Sequence, residues 1–496
     1  MVNLGKVKFM NYDIKLDTKI FEDREALIRY QQSIDEEIEL FNLIDSKDYD
    51  IAFEKYNLII AEFKSNILDK NLNEYNSKLP IYLRQFTSSS VYCRILSLYA
   101  FEVLQKLRKY AEANELFDFL IFKQNLYLQT SRPKWFERMA LNYETHLKNP
   151  LKSFEILQIG LKDTQYVKRA GRLALHQRLV KMTETKRYQK IKELKECLNS
   201  VSLVDKFEFE EAPTIEIEGT ILHSEYIPGR KNIFIQNFES SSKSTQQDIV
   251  QQDENDSNSN DTLFSSSSSS QLLSQTQRTS NVIVKNRYHI SVETVALQHY
   301  INNLDFEFGK HAETSILTTL FGLLFWNIVF DNSVYNVFID KFQSCPLDLQ
   351  TEYFYSNRKQ LIDERLDLFN NSPIDFICEI ITECWTNYFG IECSLVSWSL
   401  FESLEELLSL VKCFSSIQLT NLCRFMSQNF RYCRSGGPDL IVWSATKNRC
   451  KFVEVKGPGD RLSYKQMMWL DFMIKNSIEC EVCYVKGTNS KRLRGD

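Results

Sequence analysis

Two acidic residues near the C-terminus, Asp439 and Glu454, are spaced to face each other across a β-hairpin. Two runs rich in β-branched and aromatic residues, 440–443 and 450–456, flank a polar turn, and this pattern predicts the hairpin. If the turn is centred between residues 446 and 447, the two carboxylates lie directly opposite each other, with Cβ atoms about 5 Å apart. Carboxylates that close repel each other unless a positive charge lies between them. The pair therefore predicts a cation-binding site.

The alternation of side chains along the second strand places an amine at this site. Lys456 lies two residues after Glu454 and shares its face of the strand, whereas Val453 and Val455 point into a core. Carboxylates beside an amine suit a hard divalent cation, which prefers oxygen ligands and keeps several waters. A Glu-x-Lys pair alone is common on solvated strands. The signal therefore lies in the order and spacing of the whole segment, residues 435–471.

Gly-x-Pro-Asp, followed after about fifteen residues by Glu-x-Lys, resembles the core of the PD-(D/E)xK nucleases. The longer run GGPDLIVW…FVEVKGPGDRLSYKQMMWL, residues 436–470, resembles the VRR-NUC domain of the Fanconi-associated nucleases. The resemblance covers nearly the whole chain. It implies a multidomain α and α/β fold, in which a helical N-terminal and tetratricopeptide-like region precedes a C-terminal restriction-endonuclease-like domain.

The resemblance also implies a role for each residue of the hairpin. Asp439, Glu454 and the carbonyl of Val455 are expected to bind Mg²⁺ or Mn²⁺. Lys456 is expected to orient or deprotonate the attacking water, which the metal has already acidified. Gln466, at the start of the helix behind the hairpin, is expected to contact the metal–water network.

The most apolar segment, residues 315–330, spans about sixteen residues, short of the roughly 20 that a bilayer needs. It predicts a fully buried helix, and no membrane span is predicted. Glu313 stands just before this helix, where an acidic residue equally suits a helix cap. The resemblance instead implies that Glu313 is catalytic and completes the metal site or holds a second ion.

Three cations, Arg172, Arg431 and Lys465, match positions at which the family holds a 5′-phosphate of the substrate strand. Arg172 falls in residues 168–192, where nine Lys and Arg residues stand against one acid, Glu184. On composition alone this segment reads as a solvated helix face. Beside a nuclease core, a face that contacts phosphates is favoured.

The length of 496 residues and the hydrophobic content of 43% predict about three globular units. We assign an N-terminal DNA-binding region (1–90), similar to the part of the family that follows its SAP motif, and a tetratricopeptide-like helical domain (91–200). An ordinary helical bundle stays open for the second. A strand-containing linker (201–300) carries a Ser/Gln/Asn-rich loop (240–280) between strands predicted at 232–236 and 282–285. The loop is predicted to be disordered, because it cannot bury enough apolar area. The nuclease domain follows (301–496).

Charge and cysteine usage limit the classes of partner and compartment. The net charge of −5 excludes a bulk attraction to nucleic acid, so contacts to DNA must rest on local basic patches. The twelve cysteines show no disulfide framework and no signal peptide precedes them, which predicts reduced thiols in an intracellular protein. The resemblance implies the nucleus, with branched or flapped DNA, DNA-repair proteins and a possible dimer on DNA.

The function that the resemblance implies is a structure-selective DNA nuclease, a 5′-flap endonuclease and 5′-to-3′ exonuclease, in interstrand-crosslink repair. Two alternatives stay open. One is another PD-(D/E)xK enzyme such as a junction resolvase, and the other is a non-enzymatic helical-repeat scaffold for repair proteins. The family's N-terminal ubiquitin-binding zinc finger has no counterpart in the sequence, and whether this is a real loss stays open.

Overall fold

The computed structural model describes residues 7–200, 209–223, 234–235 and 289–492. The helices are α1 (Arg24–Asp45), α2 (Tyr49–Leu68), α3 (Lys70–Lys78), α4 (Ser88–Leu98), α5 (Leu104–Lys106), α6 (Tyr110–Asp118), α7 (Arg132–Leu141), α8 (Pro150–Lys162), α9 (Arg169–Glu184), α10 (Lys192–Ser200), α11 (Val292–Asn303), α12 (Ser315–Leu324), α13 (Trp326–Val329), α14 (Tyr353–Asn357), α15 (Lys359–Asn370), α16 (Ile374–Tyr388), α17 (Leu404–Val411), α18 (Ser416–Cys433) and α19 (Tyr464–Lys475). The strands are β1 (Lys8–Phe9), β2 (Thr214–His223), β3 (Phe234–Ile235), β4 (His289–Ile290), β5 (Phe308–His311), β6 (Ile391–Glu392), β7 (Leu440–Ser444), β8 (Arg449–Lys456) and β9 (Cys480–Arg492).

Of the first ten described helices, all except α3 contribute residues to one shared hydrophobic core and form a helical unit. Tyr56 and Trp135 are fully buried at its centre, and α1 packs against α4. The boundary that the sequence places at residue 90 falls inside this core. Three helices of the unit, α4, α6 and α7, run directly into a π-helical turn. Helices α7 and α8 pack against each other as a pair.

The first residues of the described chain belong structurally to the C-terminal unit. Strand β1 pairs in parallel with β6, and Tyr12 donates a hydrogen bond of 2.7 Å to the carbonyl of Asp340. The ring of Tyr12 lies 4.1 Å from that of Phe338, within the core of the C-terminal unit. The helical unit is therefore inserted between this anchor and the sheet.

Seven strands form the sheet, in the order β4-β3-β2-β9-β8-β7-β5. Strand β9 runs parallel to β2 and β8, and the other neighbours are antiparallel. Leu440 pairs with Val453 across β7 and β8, which is the predicted hairpin register. Val453 and Val455 pack on the side of α11, whereas Phe452 faces the core that contains α18 and α19. The predicted multidomain α and α/β fold is thus confirmed.

The apolar segment predicted as one buried helix is buried but interrupted. Its residues form α12 and α13, and Phe325 between them leaves the helical conformation at φ −115° and ψ 15°. Phe325 and Trp326 are both almost fully buried, so the break lets two large rings pack in different directions. None of the described helices combines the length and the apolar character needed to cross a membrane.

Three sequence predictions near the linker have different outcomes. Strand β3 lies within the strand predicted at 232–236, and it pairs with β4. The partner strand predicted at 282–285 and the Ser-rich loop at 240–280 lie outside the described residues.

Candidate active site

Asp439 directly precedes β7 and is held by contacts from the segment that follows β5 and from β8. Its carbonyl accepts hydrogen bonds from the backbone N–H groups of Ala312 (3.1 Å) and Glu313 (3.2 Å). Its carboxylate Oδ2 accepts a hydrogen bond of 2.8 Å from the N–H of Val455. Burial raises the pKa of Asp439, and the hydrogen bond from Val455 and the charge of Lys456 oppose this shift. The carboxylate therefore has a fixed direction before any ligand arrives.

Glu454 is the most buried charged residue of the site, with no exposed surface. Its Oε1 accepts hydrogen bonds from Lys456 Nζ at 2.6 Å and from Gln466 Nε2. Its Oε2 is buried and makes no hydrogen bond within the described parts of the chain. Burial, and next the neighbouring charge of Asp439, raise the pKa of Glu454 to about 8. A cation at this carboxylate would satisfy the lone oxygen and displace its proton.

Gln466 is positioned by the first turn of α19. Ser463 and Gln466 form a capping box, in which Gln466 Oε1 accepts a hydrogen bond of 2.8 Å from the N–H of Ser463. The same oxygen lies 3.3 Å from Lys456 Nζ. The helix cap thus orients an amide that contacts both Glu454 and Lys456. The expected contact of Gln466 with a metal–water network stays a prediction.

Glu313 joins Asp439 from the segment between β5 and α12. Its φ of 45° lies in the left-handed region, and Thr314, not Glu313, occupies the N-cap position of α12 without a capping side-chain bond. The alternative reading of Glu313 as a helix cap is therefore wrong. Single ligand atoms of His311, Glu313 and Asp439 all lie within 4.8 Å of one another.

His311 is a residue of the candidate metal site that the sequence reasoning missed. It ends the four-residue strand β5, directly across from Leu440. A histidine two residues before Glu313 would lie on the same face of a strand, and this spacing was the available signal in the sequence. However, a strand of four residues is too short to recognise. The ligand atoms of His311, Glu313 and Asp439 form a donor set that fits a divalent cation, and Glu454, which is not part of this trio, lies next to Asp439. The Val455 carbonyl as a ligand stays a prediction.

The metal-free protein should become less stable as the pH rises towards 8. The folded pKa of Glu454 is about 8 and its ordinary value is 4.5. Between these values the folded chain holds a proton that the unfolded chain has released, so the free energy of unfolding falls as the pH increases. The variant Glu454→Gln cannot ionise. With a chelator present, we expect it to gain on the order of a few kcal/mol over the wild type between about pH 5 and 8. Urea unfolding at each pH measures this, and parallel pH curves would contradict it.

A cluster of cations lies beside the carboxylates, at the N-terminus of α19. Lys465 Nζ donates a hydrogen bond of 2.8 Å to Ser435 Oγ. Burial lowers the pKa of Lys465, and the charges of Lys134, Arg434 and Arg431 add to this effect. Arg431 is itself buried enough that its pKa is lowered. The structure therefore brings two predicted phosphate contacts together and adds Lys134 and Arg434, which the sequence reasoning missed.

Arg172 lies on α9, a helix that packs next to the same region. Helix α9 packs against α19, and the ring of His176, one turn after Arg172, lies 6.5 Å from that of Tyr464. A side chain at Gly171 would overlap Pro133, the neighbour of Lys134. This close packing places Arg172 near the cation cluster, and its role at a phosphate stays a prediction.

Gly436 sets the approach of the hairpin to α19. Its φ is +82°, and a Cβ at this position would lie 2.6 Å from the Cβ of Lys465. Gly459, with a φ of +86°, has nothing within 4 Å of the same position and is a matched control. We expect Gly459→Ala to cost about 1 kcal/mol of stability for the backbone conformation alone, and Gly436→Ala at least about 1 kcal/mol more. Denaturant unfolding measures both. Equal losses would show that the hairpin and helix separate freely.

The chain is similar to known nucleases in sequence. Residues 376–487 match the family model of the VRR-NUC domain, and residues 26–183 match that of the TPR domain of Fanconi-associated nuclease 1. The chain is 32% identical over 495 residues to Fanconi-associated nuclease 1 of Danio rerio and 31% identical over 494 residues to that of Homo sapiens. These alignments cover 100% and 99% of this chain but 45% and 43% of the relatives. The chain thus spans less than half the length of these relatives.

The fold is similar to solved structures of paFAN1 bound to 5′-flap DNA. The complex with a 2-nucleotide flap and a gap gives a TM-score of 0.59 at 19% identity and covers 99% of this chain and 67% of that chain. The complex with a 1-nucleotide flap and a gap gives a TM-score of 0.58 at 18% identity, and covers 99% of this chain and 68% of that chain. At these identities the likeness concerns the fold.

Proposed function

The chain belongs to the Fanconi-associated nuclease family, and from that premise we propose that it is a divalent-metal-dependent, structure-selective DNA nuclease. The proposed activities are 5′-flap endonuclease and 5′-to-3′ exonuclease, in interstrand-crosslink repair in the nucleus. One observation carries the proposal: the carboxylates of Asp439 and Glu454 meet Lys456 at the strand ends, beside the cluster of cations around Lys465. That combination joins a hydrolytic centre to an anchor for phosphate.

Each side chain of the centre has a separate task. Asp439 and Glu454, with Glu313, would hold Mg²⁺ or Mn²⁺, and Lys456, hydrogen-bonded to Glu454, would hold the attacking water or take up its proton. Gln466 hydrogen-bonds to both Lys456 and Glu454 and so holds their side chains in position. The bound cation supplies Lewis acidity to the water and stabilises the charge that develops on the phosphate.

The cation cluster selects the position of the cut. Arg431 and Lys465 are partly desolvated, so an anion that pairs with them replaces costly mutual repulsion with strong charge-assisted hydrogen bonds. A terminal 5′-phosphate carries more charge than an internal one and is the better occupant. The flap DNA in the similar paFAN1 structures supports this choice of substrate. Protein partners and a dimer on DNA stay predictions.

A panel of labelled substrates tests the proposal. Flaps, four-way junctions, nicked duplexes and intact duplexes are incubated with the full chain and with Mg²⁺, Mn²⁺ or a chelator. We expect cleavage of 5′ flaps above the other substrates and no cleavage with the chelator. A symmetric four-way junction as the best substrate would indicate a resolvase instead. DNA binding without cleavage under any metal would indicate a scaffold.

A further inference from the structure

The backbone around Asp439 fixes His311 beside the acidic residues. Strand β5 is an edge strand, and His311 pairs in register with Leu440, the residue after Asp439. The two N–H groups that follow His311, those of Ala312 and Glu313, both donate to the carbonyl of Asp439. The chain therefore wraps around this carbonyl, and it carries His311 and Glu313 to the same carboxylate.

The three side chains are close enough to share one ion. Their ligand atoms lie within 4.8 Å of one another. Two atoms that are each about 2.1 Å from one small cation are at most about 4.2 Å apart. His311 and Glu313 are both exposed, so small rotations of their side chains close the remaining gap. No movement of the backbone is required.

The imidazole of His311 has no other use in the fold. Across the ranges that the structure describes, it makes no hydrogen bond and no ring contact, and its charge acts on Asp439. The acids around it supply an excess of negative charge, because Glu293 also faces Asp439 from the first turn of α11. A neutral nitrogen ligand completes such a set without adding further repulsion.

We propose that His311 is a direct ligand of the metal centre and biases it towards Mn²⁺ over Mg²⁺. Mg²⁺ prefers oxygen ligands in a strict octahedron and gives up its waters reluctantly, whereas an imidazole suits transition metals. The inference rests on the proposed function, which places a divalent cation at Asp439 and Glu454. It adds a ligand and a selectivity that the carboxylates alone do not have.

Pulsed electron paramagnetic resonance of bound Mn²⁺ tests the ligand directly. The full chain is loaded with Mn²⁺ alone, without DNA, and compared with His311→Gln and with the control His146→Gln. His146 is an exposed histidine of the helical unit. We expect nitrogen modulation from one coordinated imidazole in the wild type and in the control, and its loss in His311→Gln. Titration should show Mn²⁺ binding about tenfold or more weaker in His311→Gln, with Mg²⁺ affinity changed less than about threefold.

The possible failures are distinguishable. Bound Mn²⁺ without a nitrogen signal, or with a signal that survives in His311→Gln, would overturn the role of His311 and leave the nuclease proposal standing. Equal losses of Mn²⁺ and Mg²⁺ affinity would overturn the selectivity. If the wild type bound neither ion, the metal centre of the proposed function would fall together with this inference.

Discussion

Replacing Asp439 with alanine, or Glu454 with glutamine, will reduce DNA cleavage by about a thousandfold or more and leave DNA affinity within a few-fold. Each change removes an oxygen ligand from the proposed metal centre, which would activate the water and the phosphate. DNA affinity depends mainly on cations elsewhere in the protein, so it is largely retained. Single-turnover cleavage of a labelled 5′ flap, together with gel-shift titration in Ca²⁺, measures the two effects separately.

Glu481→Gln is the matched control for Glu454→Gln. Glu481 is a buried carboxylate of the neighbouring strand β9, and Lys451 Nζ lies 2.9 Å from its Oε2. It therefore has the same kind of lysine partner as Glu454 without the acids of the candidate centre. We expect this variant to lose some stability and to cleave at a near-normal rate under folding conditions. Turnover close to that of wild type in Asp439→Ala or Glu454→Gln would show that the site is assigned wrongly.

The hairpin could be predicted because all the information lies within one short segment. The period of the strands and the length of the turn place Asp439 opposite Glu454, and the observed register agrees. The amide of Gln466 follows from the same local logic, since a Ser-x-x-Gln pattern before an apolar run predicts a capping box. Neighbouring residues thus determine half of the site.

The other half depends on contacts that the sequence does not encode locally. Glu313 and His311 reach Asp439 only because β5, a strand of four residues, pairs with the far side of β7. A strand so short carries almost no periodic signal. The pairing of β1 with β6 cannot be predicted from the sequence either, because each of these strands has only two residues. For the same reason a helical unit was predicted only from residue 91 onward, and its anchoring was not predicted.

The cation cluster shows the same limit at a domain boundary. Lys134, Arg431 and Lys465 belong to α7, α18 and α19, and two of these helices lie on the C-terminal side of the helical unit. The sequence of an amphipathic helix does not show which residues of another unit will lie beside its basic surface residues. The overall charge of −5 also gives no indication of a local cluster of cations.

The combined variant Arg431→Ala and Lys465→Ala should erase the preference for 5′-phosphorylated over 5′-hydroxyl flaps and blur the position of the cut. Both cations are partly desolvated and lie next to each other, so a terminal phosphate stabilises them most. Each lost charge-assisted hydrogen bond costs about 1.5–3 kcal/mol, which corresponds to a roughly tenfold or larger loss of the preference. Arg172→Ala, which removes the cation contributed by α9, should act in the same direction. Mapping the products of both flap types on a sequencing gel measures the preference and the cut position together.

Lys475→Ala separates this anchor from general attraction to DNA. Lys475 lies at the other end of α19 and pairs with Asp471 at 2.7 Å, so its loss removes a cation from the same helix without touching the cluster. If the cluster only attracts the DNA backbone, the combined variant and this control will both weaken binding evenly, flatten the salt dependence and leave the cut in place. If the cluster holds the 5′-phosphate, only the combined variant shifts the cut, and a 5′-hydroxyl flap is cleaved by the wild type as poorly and as imprecisely as by the variant. The contrast between the two flap types therefore decides whether the enzyme measures its substrate from the 5′ end.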